Sequence, residues 1–180
     1  FPAGAIGYLI SNEKFWQNSS INNVVSMLKL KGSMGLVGAE ALPNNRRYAY
    51  LTIVGDGLGG YIFGPNETNY AGTGENQYVV VNLTWEKGLK SNIGIQAEFF
   101  GGDVSLDVDY FYEKRKDILI QRNSLPGIAG INDMPFANLG RMENQGVDGT
   151  IEYNKSFRDF SMRVYANGTF THNTVLDQDQ

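Results

Sequence analysis

The sequence predicts an all-β fold of antiparallel, up-and-down strands, and three observations carry that prediction. Two runs between Asn92 and Glu113 alternate apolar and polar residues across Gly101-Gly102, and both agree on which side is apolar. Long polar stretches alternate with short turns along the chain. Finally, 180 residues include 22 glycines, ten Phe and ten Tyr but no cysteine, which suits a β protein rich in turns and aromatics and free of disulfides.

The elements follow in order. Phe1 to Ile10 reads as a first strand, and Ser11 to Ser26 as a link with one helical turn around Glu13 to Gln17. Leu28, Leu30 and Met34 then alternate with Lys29, Lys31 and Ser33, and Leu51 to Val54 is strand-like. Tyr78 to Trp85 is a β-branched run ending in an aromatic. In the central hairpin a Gly-Gly turn sets Phe99 opposite Val104, Ala97 opposite Leu106, Ile95 opposite Val108 and Ile93 opposite Tyr110. Its other face pairs Glu98 with Ser105, Gln96 with Asp107 and Gly94 with Asp109, and acidic groups there exclude a dry core. Gly146 to Asn154 and Phe160 to Thr171 repeat the alternation, joined by a tight turn at Lys155-Ser156-Phe157-Arg158. About seven strands are expected, several near the roughly 9–11 residues a tilted membrane strand needs.

What covers the apolar side is the functional question. No run of roughly 18 apolar residues exists, which excludes a spanning helix but says nothing against a barrel. The long stretches 38–77 and 114–145 alternate with short turns at Gly101-Gly102 and Ser156-Phe157, as in outer-membrane barrels with short periplasmic turns and long outer loops. Phe15, Trp16, Phe99, Phe100, Phe157 and Phe160 fall near the short-turn ends, and Trp85, Tyr110, Tyr112 and Phe170 toward the long-loop ends. Such rings form girdles at both membrane interfaces. A soluble β-sandwich binding carbohydrate or protein is the alternative, since the face would be equally apolar against a second sheet.

Sharper local motifs fail on context. Gly55 to Gly60 matches G-x-G-x-x-G but lacks the following helix of a dinucleotide site, and reads as the Gly-rich tip of a hairpin in an outer loop. Asp107 and Asp109 share a strand face without a converging cleft, so they line a hydrated surface rather than form a glycosidase pair. His172 is the sole histidine and reads as a strand-end surface residue; Asp56 and Asp133 belong to no spaced calcium motif. No catalytic residue, cofactor or metal is expected, and a net charge of −4 with mixed signs gives no nucleic-acid footprint.

Five phrases, in order, resemble the SusC/RagA-type TonB-dependent outer-membrane receptors of Bacteroidetes. They are FPAGAIGYLISNEKFW at Phe1–Trp16, LKLKGSMGLVG at Leu28–Gly38, WEKGLKSNIGI at Trp85–Ile95, FFGGDVSLDVDYFYEKRKDILI at Phe99–Ile120 and NLGRMENQGVDGTIEYN at Asn138–Asn154. The resemblance implies that residues 1–180 are part of the C-terminal half of a 22-stranded barrel plugged by an N-terminal domain. It implies an importer of oligosaccharides or peptides, not an enzyme, in the outer membrane. Its implied partners are a SusD-like lipoprotein lid, outer-membrane lipid and, through the plug, the TonB complex. Tyr8 departs from the tryptophan usual in the family after that glycine. The chain starts at Phe1 without plug, TonB box or signal peptide, and Asp177 to Gln180 does not resemble a terminal aromatic strand, so a fragment is expected.

The same resemblance turns the central hairpin into a wall. Ile93, Ile95, Ala97, Phe99, Val104, Leu106 and Val108 are expected to face lipid, and Gln96, Glu98, Asp107 and Asp109 a hydrated lumen. Stretches 38–77 and 114–145 become extracellular. There Arg46, Arg47, Tyr48, Tyr61 and Tyr70, with Asn132, Asp133 and Asn138, combine aromatic planes with polar donors suited to ligand or lid contact.

Overall fold

The structure is a computed structural model and describes residues 1–40, 42, 48–126 and 134–179. Among the described residues eight strands form where about seven were expected: β1 (Ala3–Leu9), β2 (Val25–Ala39), β3 (Ile53–Phe63), β4 (Thr68–Gln77), β5 (Glu86–Phe99), β6 (Val104–Gln121), β7 (Phe136–Ser156) and β8 (Ser161–Asp177). Six make one sheet in the order β1-β2-β5-β6-β7-β8, and β3 pairs with β4 separately. Sequential neighbours therefore lie side by side, except that the β3–β4 hairpin is inserted between β2 and β5.

The chain divides into two compact units. The first comprises Phe1–Val37, Gly88–Lys114 and Met142–Thr174. It holds a portion of each strand of the six-stranded sheet and the short connections between them. In β1 and β2 the antiparallel register sets Gly4, Ile6 and Tyr8 opposite Met34, Gly32 and Leu30, and Ala5 and Gly7 opposite Ser33 and Lys31. Ile10 to Asn23 forms two 3-10 turns around a short helix, α1 (Lys14–Gln17), as the sequence implied. Trp16 Nε1 donates to the Val25 carbonyl at 3.3 Å and Tyr8 donates to Glu13 at 2.9 Å, which ties this link to the strands it joins.

The two tight connections differ in detail from expectation. Between β5 and β6 the chain takes four residues, Phe100 to Asp103, rather than a bare Gly101-Gly102 pair. Phe100, Gly101 and Gly102 all have positive φ (55°, 71° and 97°), and the Phe100 N–H donates outward to the Val24 carbonyl at 2.8 Å. That bond takes Phe100 out of the hairpin ladder and makes the turn wider. Between β7 and β8 the turn is centred on Arg158-Asp159 instead of residues 155–158. It is closed by the Phe157 N–H to Phe160 carbonyl bond at 2.7 Å, and the two rings stack at 4.6 Å.

The second unit comprises Gly38–Lys87, Arg115–Arg141 and Val175–Gln180. Strand structure consumes much of the expected loops. β6 extends to Gln121 and β7 starts at Phe136, and residues 53–77 form the β3–β4 hairpin. Gly55 to Gly60 lies within β3 and not at the tip; a bulge between Asp56 and Gly60, where Gly59 has φ 63°, absorbs the irregularity, and Gly64 to Glu67 make the turn. Tyr78 to Trp85 is not a strand. Val80 is buried and its N–H donates to the Ala49 carbonyl at 2.8 Å, so the run folds against the turn at 48–51 instead of entering a ladder.

Because φ 97° at Gly102 suits only a residue without Cβ, Gly102→Val should cost about 1–2 kcal/mol. A lower midpoint in the loss of β-sheet circular dichroism on heating would show it; an unchanged midpoint would mean that the turn relaxes freely.

Candidate functional site

Two features carry chemistry: the faces of the six-stranded sheet in the first unit, and the aromatic hairpin in the second. In a pleated strand residues i and i+2 share a face. β5 and β6 therefore place Ile93, Ile95, Ala97, Phe99, Val104, Leu106 and Val108 on one side, and Gln96, Glu98, Asp107 and Asp109 on the other.

Among the described residues every strand segment of the first unit belongs to one sheet, so no second layer of strands covers the apolar side there to make a sandwich. Among the described residues, only Ala49, Val80 and Ala97 are buried hydrophobics, while Ile93 is 68% exposed and Ile95 47%. Ala97 differs because a single methyl between neighbouring strands lies below the reach of longer side chains. Along β6 the column from Val104 to Tyr112 runs about 27 Å at roughly 3.4 Å per residue. Its upper end turns polar: Tyr110 donates to Gln145 at 3.0 Å, and Lys114 pairs with Glu143 at 2.9 Å.

The polar side is laced by ion pairs. Lys31 of β2 reaches Asp107 at 2.7 Å and Asp109 at 2.8 Å on β6, Lys90 reaches Glu113 at 3.6 Å, and Arg163 of β8 donates to Glu152 of β7 at 2.7 Å. Gln96, Asp107 and Asp109 also line a trough of about 360 Å³ with Asp148, Thr150 and Glu152. The Glu98 carbonyl accepts from Ser26 Oγ at 3.1 Å. Asp107 and Asp109, each bound by a cation, are wall residues and not a poised acid–base pair. Lys31 was visible in the sequence only as one polar position in an alternation; its reach to β6 depends on a strand order that alternation does not contain.

In the second unit, Tyr61, Phe63 and Tyr70 cluster on the β3–β4 hairpin at ring separations of 6.1 Å and 5.9 Å. All three are more than half exposed. Tyr48 stands apart from them, edge-on to Tyr50 at 6.2 Å. The hairpin is rooted by Gln77, only 8% exposed, whose Nε2 donates to the Tyr48 and Leu51 carbonyls at 2.9 and 3.0 Å. Asn138 is committed to the wall: it donates to the Thr84 and Asp117 carbonyls and accepts from the Thr84 N–H. Ser124 donates to Asp179 from Oγ at 2.7 Å and from its N–H at 3.1 Å, which holds that carboxyl below its usual range. Arg46, Arg47, Asn132 and Asp133 lie outside the described residues.

A sheet apolar on one side, ion-paired on the other and open at both edge strands defines a section of a large barrel wall. Residues 42–180 match the family model described as TonB dependent receptor-like, beta-barrel, and the chain belongs to that family. It is 28% identical over 97% of its length to the TonB-dependent receptor SusC of Bacteroides thetaiotaomicron, of which it covers 17%. To a TonB-dependent receptor of Formosa agariphila it is 31% identical over 81% of its length, covering 14% of that protein. Among solved structures it superposes on the RagAB peptide importer in the open-open state with a TM-score of 0.75. That match has 25% identity and covers 98% of this chain and 18% of the other. The closed-closed state gives a TM-score of 0.74 at 26% identity, over 96% and 18% of the two chains. The chain thus spans under a fifth of each of these relatives, and the match excludes the sandwich alternative.

Replacing Gln77 by alanine would take the Nε2 donor from the Leu51 carbonyl and from the Tyr48 carbonyl, which keeps the Leu51 N–H, a cost of about 1–3 kcal/mol. Limited proteolysis should then cut around residues 48–51 faster than in the wild type, and equal rates would show that Gln77 does not root the hairpin.

Proposed function

We propose that this chain is a section of the barrel wall of an outer-membrane, TonB-dependent importer that takes up oligosaccharides or peptides with a SusD-like lipoprotein lid. One observation carries the reading: in a chain of this receptor family, the apolar face of the sheet has no second layer of strands over it in the first unit, with Ile93 and Ile95 exposed, while the opposite face is ion-paired. In water an apolar surface of this extent is unfavourable; in lipid it is required. A strand tilt of about 35–45° shortens the 27 Å column of β6 to roughly 20 Å, close to the ~25 Å apolar band of such barrels. Ile93, Ile95, Phe99, Val104, Leu106 and Val108 then meet lipid, with Tyr110 and Tyr112 at one interface. Gln96, Glu98, Asp107 and Asp109 line the lumen.

The strand ends beyond that band, with stretches 38–77 and 114–145, rise on the extracellular side. The likeness to the RagAB peptide importer supports import as the activity, and the lipoprotein partner rests on the resemblance of the sequence to SusC/RagA-type receptors. The TonB complex would act through a plug domain in the same receptor. Tyr61 and Tyr70, with Phe63 between them, offer planar surfaces for a sugar or peptide side chain. Tyr48, Arg46, Arg47, Asn132 and Asp133 are the further contacts assigned to ligand or lid.

Two outcomes check the reading in the full-length receptor. Ile95→Lys should cost about 2–4 kcal/mol of barrel stability in lipid vesicles, while Gln96→Lys, one residue along, changes it little; equal costs would contradict the facing. Alanine at Arg46, Arg47 and Tyr61 together should weaken binding of maltooligosaccharides or of a peptide digest, whichever the detergent-solubilised wild type retains. Unchanged affinity would remove this loop from the ligand site.

A further inference from the structure

The turns between β5 and β6 and between β7 and β8 set register locally, because a tight connection admits few pairings. β2 and β5 have no such turn. They are neighbours in the sheet, but residues 40–85, including the entire β3–β4 hairpin, separate them in sequence. A one-residue slip of β2 along β5 would put Lys29 and Lys31 on the apolar face and Leu30 and Met34 on the hydrated one. Something other than a turn has to exclude that slip.

The geometry around Gly94 does so. Lys31 on β2 and Asp109 on β6 lie on opposite sides of β5, yet their side chains meet at 2.8 Å, and Asp107 joins at 2.7 Å. They meet directly above Gly94: a Cβ built there would stand 2.0 Å from Asp109 Oδ1 and 2.7 Å from Lys31 Cε. Both side chains therefore occupy the space where any other residue of β5 would begin. At Gly4 on β1, by contrast, a Cβ would meet nothing within 4 Å.

We propose that Lys31, Gly94, Asp107 and Asp109 form a three-strand clasp that selects the register of β2 against β5 and so takes the place of the missing turn. The glycine opens a gap across the middle strand, the lysine crosses it, and the two carboxylates on the turn-fixed β5–β6 hairpin define where it ends. A slipped β2 would leave both aspartates without their cation and carry the ammonium to the apolar side, so the clasp penalises the wrong pairing from both directions. It also explains why acidic residues at consecutive inward positions of β6 are tolerated on this face.

Barrel stability in the full-length receptor, read from its heat-modifiable migration on a detergent gel, tests the clasp without any transported ligand. Gly94→Ala and Lys31→Met should each lower the temperature at which the folded band disappears. The double variant should be no less stable than the weaker single one, because both lose the same contact. Gly4→Ala should leave the temperature unchanged. If Gly94→Ala yields no folded band, Lys31→Met and the Asp107→Asn, Asp109→Asn pair decide the matter, since they remove charge without adding bulk. Midpoints equal to wild type in those variants, or additive losses in the double variant, would overturn the proposal; neither result would bear on import itself.

Discussion

The constraint on which everything else rests is the two-residue period of the pleat. In the proposed barrel wall each strand of the six-stranded sheet presents one face to an apolar medium and the other to water, and a single-residue error inverts both. Ile93, Ile95 and Phe99 are correct only if Gln96, Glu98 and Asp109 are simultaneously correct. The energetic penalties are unequal. An isoleucine in a hydrated channel forfeits burial, about 1.5–3 kcal/mol, whereas an unpaired lysine or aspartate in lipid costs more. Charges therefore do most to set register, and hydrophobic residues supply the bulk of the stability.

That division explains where the ion pairs lie. In the first unit, apart from Lys114–Glu143 at the polar end of the apolar column, those described above run along the hydrated face, linking β2 to β6, β5 to β6 and β7 to β8. Exposed pairs are individually weak. Here their value lies in direction, since each marks a face and a pairing. Among them Lys31 has the longest reach, and it serves the β2–β5 junction, whose connection, residues 40–85, is far too long to constrain register.

Much of this was legible in the residues because the decisive signals are local. The period-2 columns in β5 to β8, the turn at Gly101-Gly102 and the helical turn before β2 all follow from neighbours a few positions apart. What was not legible is non-local. Gly55 to Gly60 resembles a turn by composition, but pairing with Thr73 and Ala71 on β4 and one bulge hold it in a strand. Tyr78 to Trp85 has the β-branched content of a strand, yet burial of Val80 against Ala49 takes it elsewhere. Arg158-Asp159 makes the β7–β8 turn because Phe157 and Phe160 stack, a pairing not deducible from turn propensity. The Lys31 clasp required knowing that β5 stands between β2 and β6. Of the candidate ligand residues, Tyr61 and Tyr70 prove to share a cluster, while Asn138 is taken up by backbone contacts.

The most direct test of the account is to measure which solvent each position of β5 meets. Spin labels placed singly at residues 92, 93, 95 and 96 of the full-length receptor in lipid vesicles, Gly94 being left intact because no side chain fits there, can be relaxed by oxygen, which concentrates in hydrocarbon, or by a water-soluble nickel complex. Strict alternation is expected, with labels at 93 and 95 relaxed by oxygen and those at 92 and 96 by nickel. Nickel access to both sets, or oxygen access to both, would contradict a wall with one face in lipid and one in water.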